Sequence, residues 1–77
     1  MTHEIRVKYN NGDAMLIIDG KEMRISEDVA SIIDGALSSY LSEWFMPSSD
    51  DVYTAPTSTM KVRVTKSNNE VEFVIEE

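Results

Sequence analysis

Along EIRVKYNNGDAMLIIDGKEMRI, residues 4–25, apolar and polar positions alternate, and the alternation breaks at Asn11-Gly12 and Asp19-Gly20. Alternation with period two marks strands with one buried face, and both dipeptides tolerate the positive φ that a two-residue type I′ turn demands. The pattern predicts a three-stranded meander over residues 1–25. Two-residue loops then fix its register, with Tyr9 facing Ala14, Val7 facing Leu16, Ile5 facing Ile18, Leu16 facing Met23 and Ala14 facing Ile25. One face collects Ile5, Val7, Tyr9, Leu16, Ile18, Met23 and Ile25. The other carries Arg6, Lys8, Met15, Ile17, Glu22 and Arg24. Two separately placed turns that agree on one apolar face reinforce each other.

From Ser26 the period changes. SEDVASIIDGALSSYLSEWFMP places apolar residues at Val29, Ile32, Ile33, Ala36, Leu37, Tyr40, Leu41, Trp44 and Phe45, the i, i+3, i+4 spacing of an amphipathic helix. Ser26 is suited to the N-cap, Glu27 and Asp28 complement the helix dipole, and Pro47 blocks continuation, so a helix is expected over 26–46. The whole stripe is expected to lie on the sheet, with Trp44 and Phe45 closing the end of the core. Residues 47–58, rich in Ser, Thr, Pro and Asp, read as a loop. Residues 59–77 read as a second hairpin around Asn68-Asn69, with Met60, Val62, Val64, Val71, Phe73 and Ile75 on one face, Lys61 opposite Glu76 and Thr65 opposite Glu72. The expected fold is a single α+β domain of two layers, a five-stranded, mainly antiparallel sheet in the order β-β-β-α-β-β with one helix across one face.

Seventy-seven residues suffice for one core layer only. There is no cysteine, which excludes disulfides, thiolate metal sites and cysteine nucleophiles and fits a reducing compartment. No segment has the length of a membrane span and MTHEIRVKYN contains no apolar signal run, so a cytoplasmic protein is expected. The net charge is −7, and its distribution is uneven. From Ile25 to Met60 there is no Lys or Arg, while Glu27, Asp28, Asp34, Glu43, Asp50 and Asp51 all fall inside. Acidity of this kind repels nucleic acid and anionic membranes and favours a basic partner.

Catalytic chemistry finds little footing. His3 is the only histidine, close to an end of the chain where a solvated residue is expected, so neither a His-based triad nor a zinc site has enough ligands. Asp50-Asp51 lacks the spaced oxygen ligands and turn glycine of a calcium loop. Phosphate-binding glycine motifs, GxSxG and HExxH are absent. No enzyme activity, cofactor or metal is expected. Arg6, Lys8, Arg24, Lys61 and Arg63 project from the outer sheet face, but Glu22, Glu72 and Glu76 share it, and no aromatic platform accompanies them; cross-strand ion pairing explains the arrangement more simply than a nucleic-acid surface. Ser31, Gly35, Ser38, Ser39 and Ser42 make one helix face small and flat, a shape that suits close approach of a second copy.

The stretch SEWFMPSSDDVYTAPTS concentrates aromatic residues and carboxylates without a cation. Asp34, Glu43, Met46, Asp50, Asp51 and Tyr53 are therefore the candidate partner-binding residues, since apolar anchors ringed by carboxylates suit a basic protein surface. In size, acidity and lack of catalytic groups the chain resembles the small inhibitors encoded by bacteriophages and other mobile elements, including anti-CRISPR proteins and other nucleic-acid mimics. That resemblance is one of composition, transfers no residue, and implies an inhibitor occupying a basic nucleic-acid-binding surface. The expected function is a non-catalytic acidic protein-interaction module. The alternatives are a structural protein that self-associates through the small helix face or an open strand edge, as a homodimer, and a weak nucleic-acid binder using the outer sheet face.

Overall fold

The computed structural model describes residues 1–49, 51–57 and 59–77. Its elements are β1 (Thr2–Asn10), β2 (Asp13–Ile18), β3 (Lys21–Ser26), α1 (Glu27–Trp44), β4 (Met46–Ser49), β5 (Val52–Thr54), β6 (Lys61–Lys66) and β7 (Glu70–Glu76). They form one antiparallel seven-stranded sheet, in the order β3-β2-β1-β7-β6-β5-β4, with α1 on one face.

The meander has the register that its turns dictate. Asn11 and Gly12 take φ of 42° and 91°, Asp19 and Gly20 take 49° and 85°, positive at both central positions as type I′ turns require. Every expected pair forms, from Ile5↔Ile18 to Ala14↔Ile25. The C-terminal hairpin also pairs as expected, Lys61 with Glu76 and Thr65 with Glu72. The first and last strands close the sheet side by side, from Thr2↔Glu76 to Lys8↔Glu70. His3 thus stands within a strand and not in a frayed end. Its Nδ1 lies 2.8 Å from Asp19 Oδ2, while Asp19 Oδ1 accepts the Glu4 N–H at 2.8 Å.

Further expectations need correction. The sheet has seven strands, not five, because the segment expected as a 47–58 loop contributes β4 and β5. Val52, Tyr53 and Thr54 are β-branched or aromatic, and they pair with Arg63, Val62 and Lys61, so β5 satisfies the backbone groups that β6 would otherwise expose. The helix also stops earlier, at Trp44, where Phe45 turns extended (φ −119°, ψ 148°) while its N–H still bonds Leu41 O at 3.0 Å. Proline disfavours helical backbone in the residue before it, so Met46 leads directly into a strand.

A further correction concerns the helical stripe. Only part of it meets the sheet. Ala30, which the expected stripe did not include, packs with Val7, Ala14 and Leu16 at the helix's first half, where a methyl side chain allows close approach; Leu41 and Phe45, from the stripe, pack with Val62, Val71 and Phe73 at its second half. Phe73 and Val7 are the largest side chains wholly withdrawn from water. Val29, Ile32, Tyr40 and Trp44 remain exposed. At about 100° per residue, Ala30, Ile33, Leu37 and Leu41 form one line, while Val29, Ile32, Ala36 and Tyr40 form a second about 100° around the helix. One flat sheet covers the first line as far as Leu41; Trp44 continues that line at the helix end and stays exposed.

Candidate functional site

The helix's last two turns bring together what its sequence pattern concealed. Tyr40 and Trp44 are one turn apart on α1, with ring centroids 6.4 Å apart, and Tyr40 lies 6.0 Å from the buried Phe45. Trp44 is 62% exposed and Tyr40 56%, unusual for aromatic side chains in so small a domain. With Glu43 they border an open cavity of about 450 Å³, whose opposite wall is Ala55, Pro56, Thr57 and Met60. A second, wholly apolar recess of about 130 Å³ lies between Leu37, Tyr40 and the sheet residues Val62, Phe73 and Ile75. Tyr40, Phe45 and Met60 line both, so the two recesses lie side by side along the helix flank, where together they form a groove.

The electrostatics of this end are one-sided. The C-terminus of a helix carries partial negative charge from its unpaired carbonyls, ordinarily offset by Lys or Arg in the last turn. α1 has acidic residues in its first turn and no basic residue in its last. Glu43 adds a full negative charge beside the exposed rings. The result is an apolar, aromatic groove with a negative rim, a combination that accepts the aliphatic stem of Lys or Arg along the rings and its cationic head at the carboxylate.

The expected site residues do not form one surface. Glu43 belongs to the groove. Asp34 sits on the other flank of the helix, half-buried, where its carboxylate lies 3.5 Å from the Tyr9 hydroxyl and 3.4 Å from the Ser38 hydroxyl. Burial foremost, and then the neighbouring Asp34 charge, raises the Tyr9 pKa, which keeps the phenol protonated. Met46 is exposed, but it pairs with Thr54, which pairs with Lys61, so it shares the outer sheet face with them and points away from the helix. Tyr53 pairs with Val62 and packs half-buried against the core. Asp51 is exposed at the β4–β5 turn, its carbonyl accepting the Val64 N–H at 2.9 Å. Asp50 lies outside the described residues. Tyr40 and Trp44, the groove's aromatic walls, belong to the stripe that the sequence assigns to the core, with only an edge of Trp44 left for the surface. For Tyr40 the available signal was the width of the stripe, since nine apolar positions span more of the helix than one sheet can cover; Trp44 lies on the covered line, and its exposure at the helix end had no such signal.

The outer sheet face is laced with ion pairs. Arg6 Nε lies 2.9 Å from Glu70, 3.1 Å from Glu72 and 3.3 Å from Glu4, contacts of charge and distance and not aligned hydrogen bonds. Arg24 is held by Asp13, whose hydrogen bond and charge raise the guanidinium pKa still further. Two of the cations considered for nucleic acid are thus already neutralised in place. Among the described residues, no three His, Cys, Asp or Glu side chains cluster as a metal site, and no helix is long and apolar enough to cross a membrane. No protein-family model, curated protein or solved structure matches this chain.

Proposed function

We propose that this chain is a non-catalytic protein-interaction module that engages a basic protein surface through the C-terminal end of α1. The observation that carries this reading is the exposure of Tyr40 and Trp44 on a groove whose rim is Glu43 and an uncompensated helix C-terminus. A large aromatic pair left in water costs solubility without contributing to the core, and aromatic anchors beside charge are the residues on which interfaces concentrate their binding energy. The absence of any Lys or Arg from Ile25 to Met60 leaves the groove's surroundings without a repulsive charge for a cationic partner. A basic surface that otherwise holds nucleic acid is one such partner, and competition between this chain and an oligonucleotide for the purified partner reads that directly.

The test is capture of a partner from lysate by the immobilised wild-type chain at rising salt, followed by binding measurements with the purified partner. Trp44→Ser and Glu43→Lys are expected to weaken binding, the former by about thirtyfold as for an interface anchor worth 2 kcal/mol. Ser39→Ala, on the small helix face, matches the wild type. Equal binding by all of these variants removes the helix end from the interface.

A further inference from the structure

The sheet ends in β3 on one side and β4 on the other. An outer strand presents unpaired backbone groups, and proteins ordinarily blunt such an edge with proline, a bulge or a very short strand. β4 has all three features: four residues, Pro47, and a register shift between Pro47 and Ser49. β3 has none. Its six residues hold unbroken register with β2 from Asp13↔Ser26 to Ile18↔Lys21.

The outward row on β3 follows from the turn that precedes it. A two-residue turn makes its flanking residues, Ile18 and Lys21, exchange both hydrogen bonds, and the alternation assigns the same role to Leu16 with Met23 and Ala14 with Ile25. Glu22 and Arg24 are left with N–H and C=O directed away from β2. We propose that this edge pairs antiparallel with β3 of a second copy, across a twofold axis at Met23, joining two seven-stranded sheets into one.

Charge selects that register. Outward groups belong to even-numbered residues, so pairing must set even against even, which also keeps the apolar faces together. Of the three registers with the greatest overlap, one centred on Glu22 sets Glu22 against itself, and one centred on Arg24 sets Arg24 against itself. Centring on Met23 sets Glu22 against Arg24 of the other copy, twice, in pairs that also exchange four backbone hydrogen bonds. At this edge Lys21 and Arg24 are balanced by Glu22 and by Asp13, which holds Arg24, so in a chain of net charge −7 two such edges meet with little net repulsion. Arg24 donates one N–H to Asp13 and retains others for Glu22 of the other copy.

The apolar side supplies burial. Met23 is 61% exposed, and with Leu16, Ile18 and Lys21 it borders an open recess of about 240 Å³. At the axis, Met23 of each copy faces the other as a non-hydrogen-bonded pair, the closer kind. Met side chains adapt readily to such irregular apolar gaps. This interface is separate from the groove at the far end of α1, so the two readings stand or fall independently.

The experiment is sedimentation equilibrium at high micromolar protein, with circular dichroism to establish that each variant is folded. The wild type is expected to be a dimer. Glu22→Arg and Arg24→Glu each set like charges across the axis and are expected to be monomers when alone. An equimolar mixture of the two is expected to recover the dimer, because at positions 22 and 24 one strand of the mixed pair then carries two cations and the other two carboxylates. A monomeric wild type, a dimer of either single variant, or a mixture that stays monomeric overturns the proposal. Met23→Cys gives a second measurement that does not depend on the charge variants folding. In a chain with no other cysteine it is expected to form a disulfide-linked dimer on mild oxidation, since facing residues of a non-hydrogen-bonded pair have the spacing a disulfide needs. Lys21→Cys, two residues from the axis, is expected to remain unlinked. Equal crosslinking of both variants, or of neither, also overturns it.

Discussion

β3 and β4 both terminate the same sheet, yet β3 runs six residues in continuous register and ends an unbroken meander, whereas β4 is four residues long, contains Pro47 and slips against β5. The difference follows from how each strand is specified. β3 is placed by local chemistry: Asp19-Gly20 turns the chain, and the alternation in KEMRIS meets the alternation in DAMLII. β4 and β5 are placed by tertiary demand. Their ladder exists because β6 would otherwise expose its outer backbone groups, and the chain leaving α1 passes within reach. A strand placed locally can be regular to its edge, while one recruited to cover an edge needs only enough pairing to do so, and its irregularity then prevents further growth of the sheet.

The largest expected effect tests whether α1 holds the recruited side in place. Leu41 is buried against Val62, Val71 and Phe73, and Leu41→Ala is expected to cost about 2–5 kcal/mol in chemical denaturation, from lost burial and the cavity left behind. Trp44→Ala, three residues on and exposed, is expected to stay within about 0.5 kcal/mol. Similar losses for the two would mean that α1 is not seated on β6 and β7 as described, and the contrast between the two sides would lose its basis.

A smaller loss is expected where the meander turns. Gly20 has φ of 85°, and Gly20→Ala places a Cβ in left-handed backbone at about 1–2 kcal/mol, although nothing lies within 4 Å of it. The penalty is therefore conformational and not a clash. A neutral Gly20→Ala in denaturant melts would show that β3 does not depend on its turn, and that the local account of this edge fails.

Pro47→Thr sharpens the comparison at the other edge. It restores a backbone N–H to β4 and leaves folding stability within about 0.5 kcal/mol of the wild type. Light scattering is expected to show new concentration-dependent association, independent of Glu22 and Arg24. No change in association would show that Pro47 does not guard that edge.

The smallest effect concerns the pair that ties β1 to the β2–β3 turn. The Asp19 hydrogen bond, then its charge, raises the His3 pKa above its ordinary 6.5, while the His3 bond, then the Glu4 N–H, lowers Asp19 below its ordinary 3.8. The raised histidine contributes stability that is fully present below 6.5 and is lost as pH rises through its folded value. The lowered carboxylate contributes stability that is present above 3.8 and is lost as pH falls through its folded value. Their joint contribution is greatest between those limits, and because both side chains face solvent it is slight. Thermal melts of His3→Gln are expected to differ from the wild type most in that window. A pH-independent difference would mean that the pair does not persist in solution.

What the sequence determined by itself is the structure made from near neighbours. Both type I′ turns, the register of β1 to β3, the Ser26 N-cap, whose hydroxyl accepts the Val29 N–H at 3.2 Å, and the pairing of β6 with β7 all depend on residues a few positions apart. Propensity and periodicity record such relations directly. Candidate site residues were legible only as types: Glu43 was identified, but the aromatic pair beside it was assigned to the core. Which strands lie at the edges, that VYT completes a sheet and not a loop, and which of two apolar lines on α1 is buried were decided by tertiary structure alone. The physical reason is area. A helix stripe states how much apolar surface is available for burial, but only the width and position of the sheet beneath it decide how much is covered, and the uncovered remainder, Tyr40 and Trp44 included, is where this protein is open to a partner.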